Sequence, residues 1–77
     1  MQQLLSEIGV GKSAKVIGYN DKTSAYRRRL LAMGLTPGAI ITVTRKAPLG
    51  DPIEIDLRGT ALSVRKDEAK IVTVELA

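Results

Sequence analysis

Histidine and cysteine, the side chains that most often act as general bases, nucleophiles and transition-metal ligands, are both absent from this 77-residue chain. Without them the chain cannot form a Ser–His–Asp or Cys–His catalytic arrangement, a disulfide, or a metal site with imidazole or thiolate ligands. Carboxylates, arginines and a few loop residues are left for chemistry or binding. The sequence therefore argues against an enzyme and against a resident cofactor.

Three carboxylates are the candidates for a metal site. Glu54 and Asp56 lie two residues apart in a segment that alternates apolar and acidic residues, and Asp51 lies just before it. Oxygen ligands of this kind suit hard divalent cations. The same alternation, however, places Glu54 and Asp56 on the solvated face of a strand. We therefore expect no bound metal, and Asp51, Glu54 and Asp56 are the residues that would hold one.

The segment from Gly9 to Ser13 ends like a phosphate-binding loop, with Lys12 and Ser13 after a glycine. The full motif needs another glycine where this chain has Ser6, and a long helix immediately after the loop. The residues that follow have the pattern of a strand. We expect a plain glycine turn here.

The chain is basic, with 12 Lys and Arg against 8 Asp and Glu, and three arginines are consecutive, Arg27 to Arg29. In a helix, consecutive residues are about 100° apart, so these arginines cannot form one basic stripe. Arg27 and Leu31 share a face, and we expect Arg27, Arg28 and Leu31 to contact a partner. Nucleic-acid binding on a small barrel usually needs exposed aromatic side chains, and only two tyrosines are present. It remains an alternative.

The segment from Ala47 to Pro52 is the most unusual in the chain. Pro48 and Pro52 enclose Leu49, Gly50 and Asp51, and each proline restricts the residue before it to an extended conformation. A rigid loop loses little entropy when it binds, so these five residues are our first candidates for a partner-binding site. The alternative is a stiff hairpin connection with Leu49 folded beneath it.

The remaining pattern predicts a single small domain, residues 1–77, that is mainly β. Its core is aliphatic, because Phe and Trp are absent. A helix is expected over 25–33, with Thr23 or Ser24 as N-cap and Gly34 after its end. Short turns are expected at 4–8 and 66–70, and about five strands at 14–19, 39–46, 53–57, 62–64 and 71–76. Five short strands with one inserted helix favour a small bent barrel, whose closure would remove exposed sheet edges.

Several segments in a fixed order resemble the ferrous iron transport protein A family. They are Tyr26-Arg27, Leu30 to Gly38, Ala47 to Ile53, and Leu62 to Lys66 with Ala69 and Ile71. The resemblance extends from about Leu4 to Glu75. It implies an SH3-like β-barrel with a helix inserted after the first strand, and a cytosolic protein of bacterial Fe(II) uptake. It also implies a partner, the membrane transporter ferrous iron transport protein B, which carries a cytosolic GTPase domain.

The residues and the resemblance together predict a non-enzymatic accessory or regulatory protein that binds the cytosolic part of this transporter. We expect it to be cytoplasmic, since no signal peptide or long apolar run is visible, and to meet the membrane only through its partner. The loop 47–52 is the first expected contact and the helix 25–33 the second, whose arginines could act in trans on GTP hydrolysis. The alternatives are a transition-metal-binding domain and an SH3-like nucleic-acid-binding module.

Overall fold

The computed structural model describes residues 2–21 and 24–77. Two short 3₁₀ turns, Leu5–Glu7 and Pro48–Gly50, accompany the strands and helices. In chain order these elements are β1 (Gln2–Leu4), β2 (Ser13–Tyr19), α1 (Ala25–Ala32), β3 (Ile40–Lys46), β4 (Ile53–Leu57), β5 (Thr60–Val64), α2 (Lys66–Ala69) and β6 (Val72–Leu76). Across these described ranges, none of the helices is long and apolar enough to cross a membrane.

The strands form one antiparallel sheet in the order β1-β6-β2-β3-β4-β5. Register shifts between Val16 and Gly18, and between Val43 and Arg45, mark bulges that bend the two central strands. The predicted strands are all present, but the described residues hold six strands rather than about five. The additional strand is β1, which lies just before the turn predicted at 4–8, and that turn is present as the 3₁₀ turn Leu5–Glu7.

The prediction that barrel closure removes the sheet edges is wrong. In the observed strand order, β1 and β5 are the outer strands and do not pair with each other. β1 has only three residues, which is too short for hydrophobic alternation to reveal it. Pairing of β1 with β6 explains why such a short segment is a strand at all.

Helix α1 begins and ends at specific caps. Ser24 is the N-cap, and its Oγ accepts a hydrogen bond from the Tyr26 N–H at 3.0 Å, while the alternative cap Thr23 lies outside the described residues. At the other end Gly34 has a φ of 103°, and the Leu35 N–H donates back to the Leu30 carbonyl at 3.0 Å. This is a Schellman motif, which makes Ala32 rather than position 33 the last helical residue.

The core lies between the bent sheet and the helices, and it is aliphatic as predicted. Leu30 and Leu35, which flank the α1 C-terminus, are both fully buried in it. In β4 the alternation is also as predicted, with Ile53, Ile55 and Leu57 buried and the two acidic residues between them partly exposed. Strand register therefore follows from hydrophobic alternation, as expected for a sheet with one buried face.

This register makes two neighbouring positions respond oppositely to truncation. We expect Ile55→Ala to lower the free energy of unfolding by about 2–4 kcal/mol, because it removes a fully buried side chain. Glu54→Ala, at a partly exposed position, should change it by less than about 0.5 kcal/mol. Urea denaturation of both variants measures the difference, and a larger loss for Glu54→Ala would mean that the register is shifted by one residue.

Candidate functional site

The loop between β3 and β4 presents Leu49 to solvent. The Gly50 N–H donates to the Ala47 carbonyl at 2.8 Å, which closes a four-residue turn with Pro48 and Leu49 at its centre. The Leu49 side chain is 94% exposed, so the alternative in which it folds beneath the loop is wrong. Its φ of 73° is a left-handed backbone conformation that a bulky residue rarely adopts. An exposed, strained leucine has no role in the core.

Asp51 connects this loop to helix α2. Its Oδ1 accepts a hydrogen bond from the Lys66 N–H at 3.2 Å. This N–H belongs to the first turn of α2 and has no partner inside the helix, so Asp51 acts as a cap supplied from another part of the chain. The sequence predicted Asp51 as one of the partner contacts of the loop, and the structure adds an intramolecular hydrogen bond from this residue to α2.

Glu68 in α2 is the one fully buried charged residue among those the structure describes. Its Oε1 accepts a hydrogen bond from the Arg65 N–H at 2.9 Å, and its Oε2 is bonded to the Arg29 guanidinium. Burying a carboxylate is unfavourable unless it is paired and hydrogen-bonded, and both conditions are met here. Glu68 thus joins α1 to the start of α2.

The three consecutive arginines of α1 have three different environments. Arg29 pairs with Glu68, and Arg27 lies with its guanidinium 6.0 Å from the centre of the Tyr19 ring. Arg28 is exposed. The predicted contact residues of α1 therefore differ in how accessible they are to a partner. Arg28 faces solvent, whereas Arg27 packs on an aromatic ring and Leu31 is half-buried.

Tyr19, beside Arg27, also holds the segment that follows the helix. Its hydroxyl donates to the Leu35 carbonyl at 2.7 Å. Burial raises the pKa of Tyr19 to about 12, although the nearby Arg27 charge acts in the opposite direction. Arg27 and Tyr19 therefore fix the packing of α1 on the sheet, which is a structural role.

A pocket of 360 Å³ lies where α1, the loop and β5 meet. Its lining residues are Arg29, Asp51, Pro52, Ser63 and Arg65. The sequence predicted Asp51 and Pro52 as partner contacts and named Arg29 only among the arginines of α1 that could act in trans. It gave Ser63 and Arg65 no binding role. No local pattern could show that Arg29 pairs with Glu68, since the two residues are 39 positions apart.

The three candidate metal ligands are not brought together. Asp51 bonds the Lys66 N–H, Glu54 lies 3.7 Å from Arg45, and Asp56 Oδ2 accepts from the Gly59 N–H at 3.3 Å. Within residues 2–21 and 24–77, no group of three or more carboxylates is placed to hold a metal ion.

The glycine segment near the N-terminus is a turn, as predicted. The Lys12 N–H donates to the Gly9 carbonyl at 3.1 Å, and the Gly11 N–H donates to the Val43 carbonyl at 2.7 Å. Strand β2 starts at Ser13, so the position where a phosphate-binding loop needs a helix is occupied by a strand.

Comparison with known proteins gives the family. Residues 3–76 match the model of the FeoA domain. The chain belongs to the FeoA family. This family is associated with ferrous iron transport, which confirms the resemblance seen in the sequence.

Solved FeoA structures share the fold. The FeoA-like protein from Clostridium acetobutylicum is 43% identical with a TM-score of 0.90, and the match covers 97% of this chain and 86% of that one. Stenotrophomonas maltophilia FeoA, described as a prokaryotic SH3 domain protein and complexed with zinc, is 30% identical with a TM-score of 0.81. That match covers 95% of this chain and 89% of the other. The predicted SH3-like architecture is thus confirmed.

A curated relative from Porphyromonas gingivalis is a fusion of Fe(2+) transport protein A with the Fe(2+) transporter FeoB. It is 35% identical over 72 residues, which are 94% of this chain and 8% of the fusion protein. The present chain therefore corresponds to a small part of that relative.

The Arg29–Glu68 pair makes one arginine of α1 essential for stability. We expect Arg29→Gln to lower the free energy of unfolding by about 2–4 kcal/mol, because Glu68 stays buried without its cation. Arg28→Gln is the matched control on the same helix and should cost less than about 0.5 kcal/mol. Equal denaturation midpoints for the two variants would contradict this assignment.

Proposed function

We propose that this protein is an accessory regulator of ferrous iron uptake that binds the cytosolic part of the Fe(II) transporter FeoB. The observation that carries the proposal is the Porphyromonas gingivalis relative, in which a FeoA-type sequence and FeoB form one polypeptide. Covalent linkage places two domains at an effective concentration of about millimolar, which is useful when they bind each other. Such an interaction needs a docking surface on each of the two domains.

The loop 47–52 has the properties of such a surface. Leu49 offers an apolar anchor that is 94% exposed, at the tip of a turn closed by a backbone hydrogen bond. The ends of the loop are also tied, because the Ala47 N–H donates to the Pro52 carbonyl at 3.1 Å. A rigid apolar anchor that enters a pocket is the typical centre of a binding interface, since little conformational entropy is lost.

Helix α1 supplies a second, weaker contact in this proposal. Arg28 is exposed, and no ion pair among the described residues includes it. Of the three arginines it is the one with neither an ion-pair partner nor an aromatic neighbour in the described part of the chain, so it is the most available to act in trans on GTP hydrolysis. Arg27 and Leu31 would contribute only their exposed portions.

The remaining parts of the proposal concern what the protein does not need. We propose a non-enzymatic, cytoplasmic protein that reaches the membrane through its partner and uses neither nucleic acid nor a cofactor. The zinc-bound Stenotrophomonas maltophilia relative favours metal binding for that protein. In this chain the three candidate carboxylates have separate partners, so metal binding is not part of the proposal.

The test is binding of the purified protein to the transporter's cytosolic domain, measured by calorimetry with and without GTP. We expect Leu49→Asn to weaken binding at least tenfold, about 1.4 kcal/mol, because it removes the apolar anchor. Asparagine tolerates the left-handed conformation, so the melting temperature should stay equal or rise. Asp51 is left unchanged, because its bond to α2 contributes to folding.

Val10→Asn is the matched control, since Val10 is an aliphatic residue of another loop that is 56% exposed. It should bind as the unmodified protein does. Full binding by Leu49→Asn would refute the role of the loop, and Arg28→Ala then tests α1. Absence of binding by the unmodified protein in both nucleotide states would refute the partner itself.

A further inference from the structure

Strand β5 is an unprotected sheet edge. It pairs with β4 on one side, and no strand of the described chain pairs with its other side. Thr60, Ala61 and Ser63 are exposed. Proteins usually protect such edges with lysine, proline or a bulge. Strand β5 contains no lysine and no proline, and its regular pairing with β4 shows no bulge.

The register shows which backbone groups point outward. Arg58 and Gly59 form a two-residue hairpin, with φ values of 53° and 83°, between the paired residues Leu57 and Thr60. In such a hairpin the flanking pair exchanges hydrogen bonds, and bonded pairs then alternate along the ladder. Thr60, Leu62 and Val64 therefore bond β4. The N–H and C=O groups of Ala61 and Ser63 face the open edge.

The pocket described above lies at one end of this edge. Ser63 belongs to both, since it lines the pocket and carries one pair of outward backbone groups. Arg65 follows β5 directly and also lines the pocket, together with Arg29. A chain that extended the sheet beside β5 would thus pass from the edge into a pocket with two guanidinium groups.

The pocket offers a bound carboxylate one guanidinium, that of Arg65, which has no carboxylate partner among the residues that the structure describes. Arg29 is bonded to Glu68, yet 56% of its side chain is exposed and a guanidinium has five N–H donors. Arginine binds carboxylates through two parallel hydrogen bonds. The Asp51 carboxylate lines the same pocket and would repel a bound anion. One of its oxygens, Oδ1, accepts a hydrogen bond from the Lys66 N–H.

We propose that the β5 edge and this pocket together bind an extended acidic peptide segment of a partner protein. The segment would add a strand beside β5 through the backbone groups of Ala61 and Ser63, and a Glu or Asp side chain would enter the pocket beside Arg29 and Arg65. Antiparallel pairing places that acidic residue at the N-terminal end of the segment, since the pocket lies at the C-terminal end of β5. This proposal does not require the partner to be the transporter FeoB.

A second copy of the protein does not fit this site equally well. Its own β5, Thr60–Val64, contains no acidic residue to enter the pocket. Charge complementarity therefore favours a separate acidic segment over a β5–β5 dimer.

The test uses a peptide probe, acetyl-Glu-Thr-Val-Thr-Val-amide, added to the full chain and followed by NMR. At saturating peptide, we expect amide hydrogen exchange to slow at Ala61 and Ser63. The matched peptide with Gln in place of Glu should bind about tenfold more weakly, as expected for the loss of a charge-assisted contact.

Variants of the protein separate the two parts of the site. Arg65→Gln should weaken the Glu peptide about tenfold without affecting the Gln peptide, and Asp51→Asn should tighten the Glu peptide. Arg45→Gln, which changes an exposed arginine on β3, is the control and should have no effect. Ala61→Pro removes one outward N–H at an edge position that tolerates proline, and should abolish the binding of both peptides.

Three results would overturn the proposal. They are equal affinity of the Glu and Gln peptides, slowed exchange at sites other than β5, and absence of binding at millimolar peptide. Slowed exchange at Ala61 and Ser63 that depends on protein concentration without peptide would identify a second copy as the occupant, and would also overturn it. None of these results bears on Leu49→Asn, so this proposal and the transporter proposal can fail separately.

Discussion

The buried carboxylate of Glu68 is the interaction on which the arrangement of helices and loop depends. It bonds the Arg29 guanidinium in α1 and the Arg65 N–H at the start of α2. Asp51 bonds the next N–H, that of Lys66, from the loop between β3 and β4. Two carboxylates therefore satisfy backbone donors at the start of a helix of only four residues, which could not be stable alone.

This arrangement also explains why the carboxylates of the chain do not form a metal site. Each oxygen ligand that the sequence offered is used in a different place: Asp51 at α2, Glu54 near Arg45, and Asp56 in the β4–β5 hairpin. A divalent cation would have to displace these contacts and draw together groups from separate elements. These polar residues instead stabilise the connections between the strands. The core of the domain is made of aliphatic side chains.

Hydrophobic alternation and capping residues predicted most of the fold, because both act over a few neighbouring residues. The register of β4 followed from alternation, and the end of α1 followed from Gly34. β1 and the open edge at β5 could not be predicted in this way, since both depend on which strands pair. The sequence also pointed to the loop 47–52, which includes Asp51 and Pro52 of the pocket. It could not show that Arg29 lies beside them, because Arg29 and Glu68 meet only after the chain has folded.

At Leu49 the residue that would be best for stability differs from the one that gives an exposed apolar side chain. A glycine or asparagine there would relieve the left-handed conformation and remove an apolar side chain from water. Selection for thermal stability alone, in a laboratory library or a design calculation, would therefore replace this leucine early. A stabilised version of the protein obtained in that way would keep the barrel and lose its most exposed large apolar side chain.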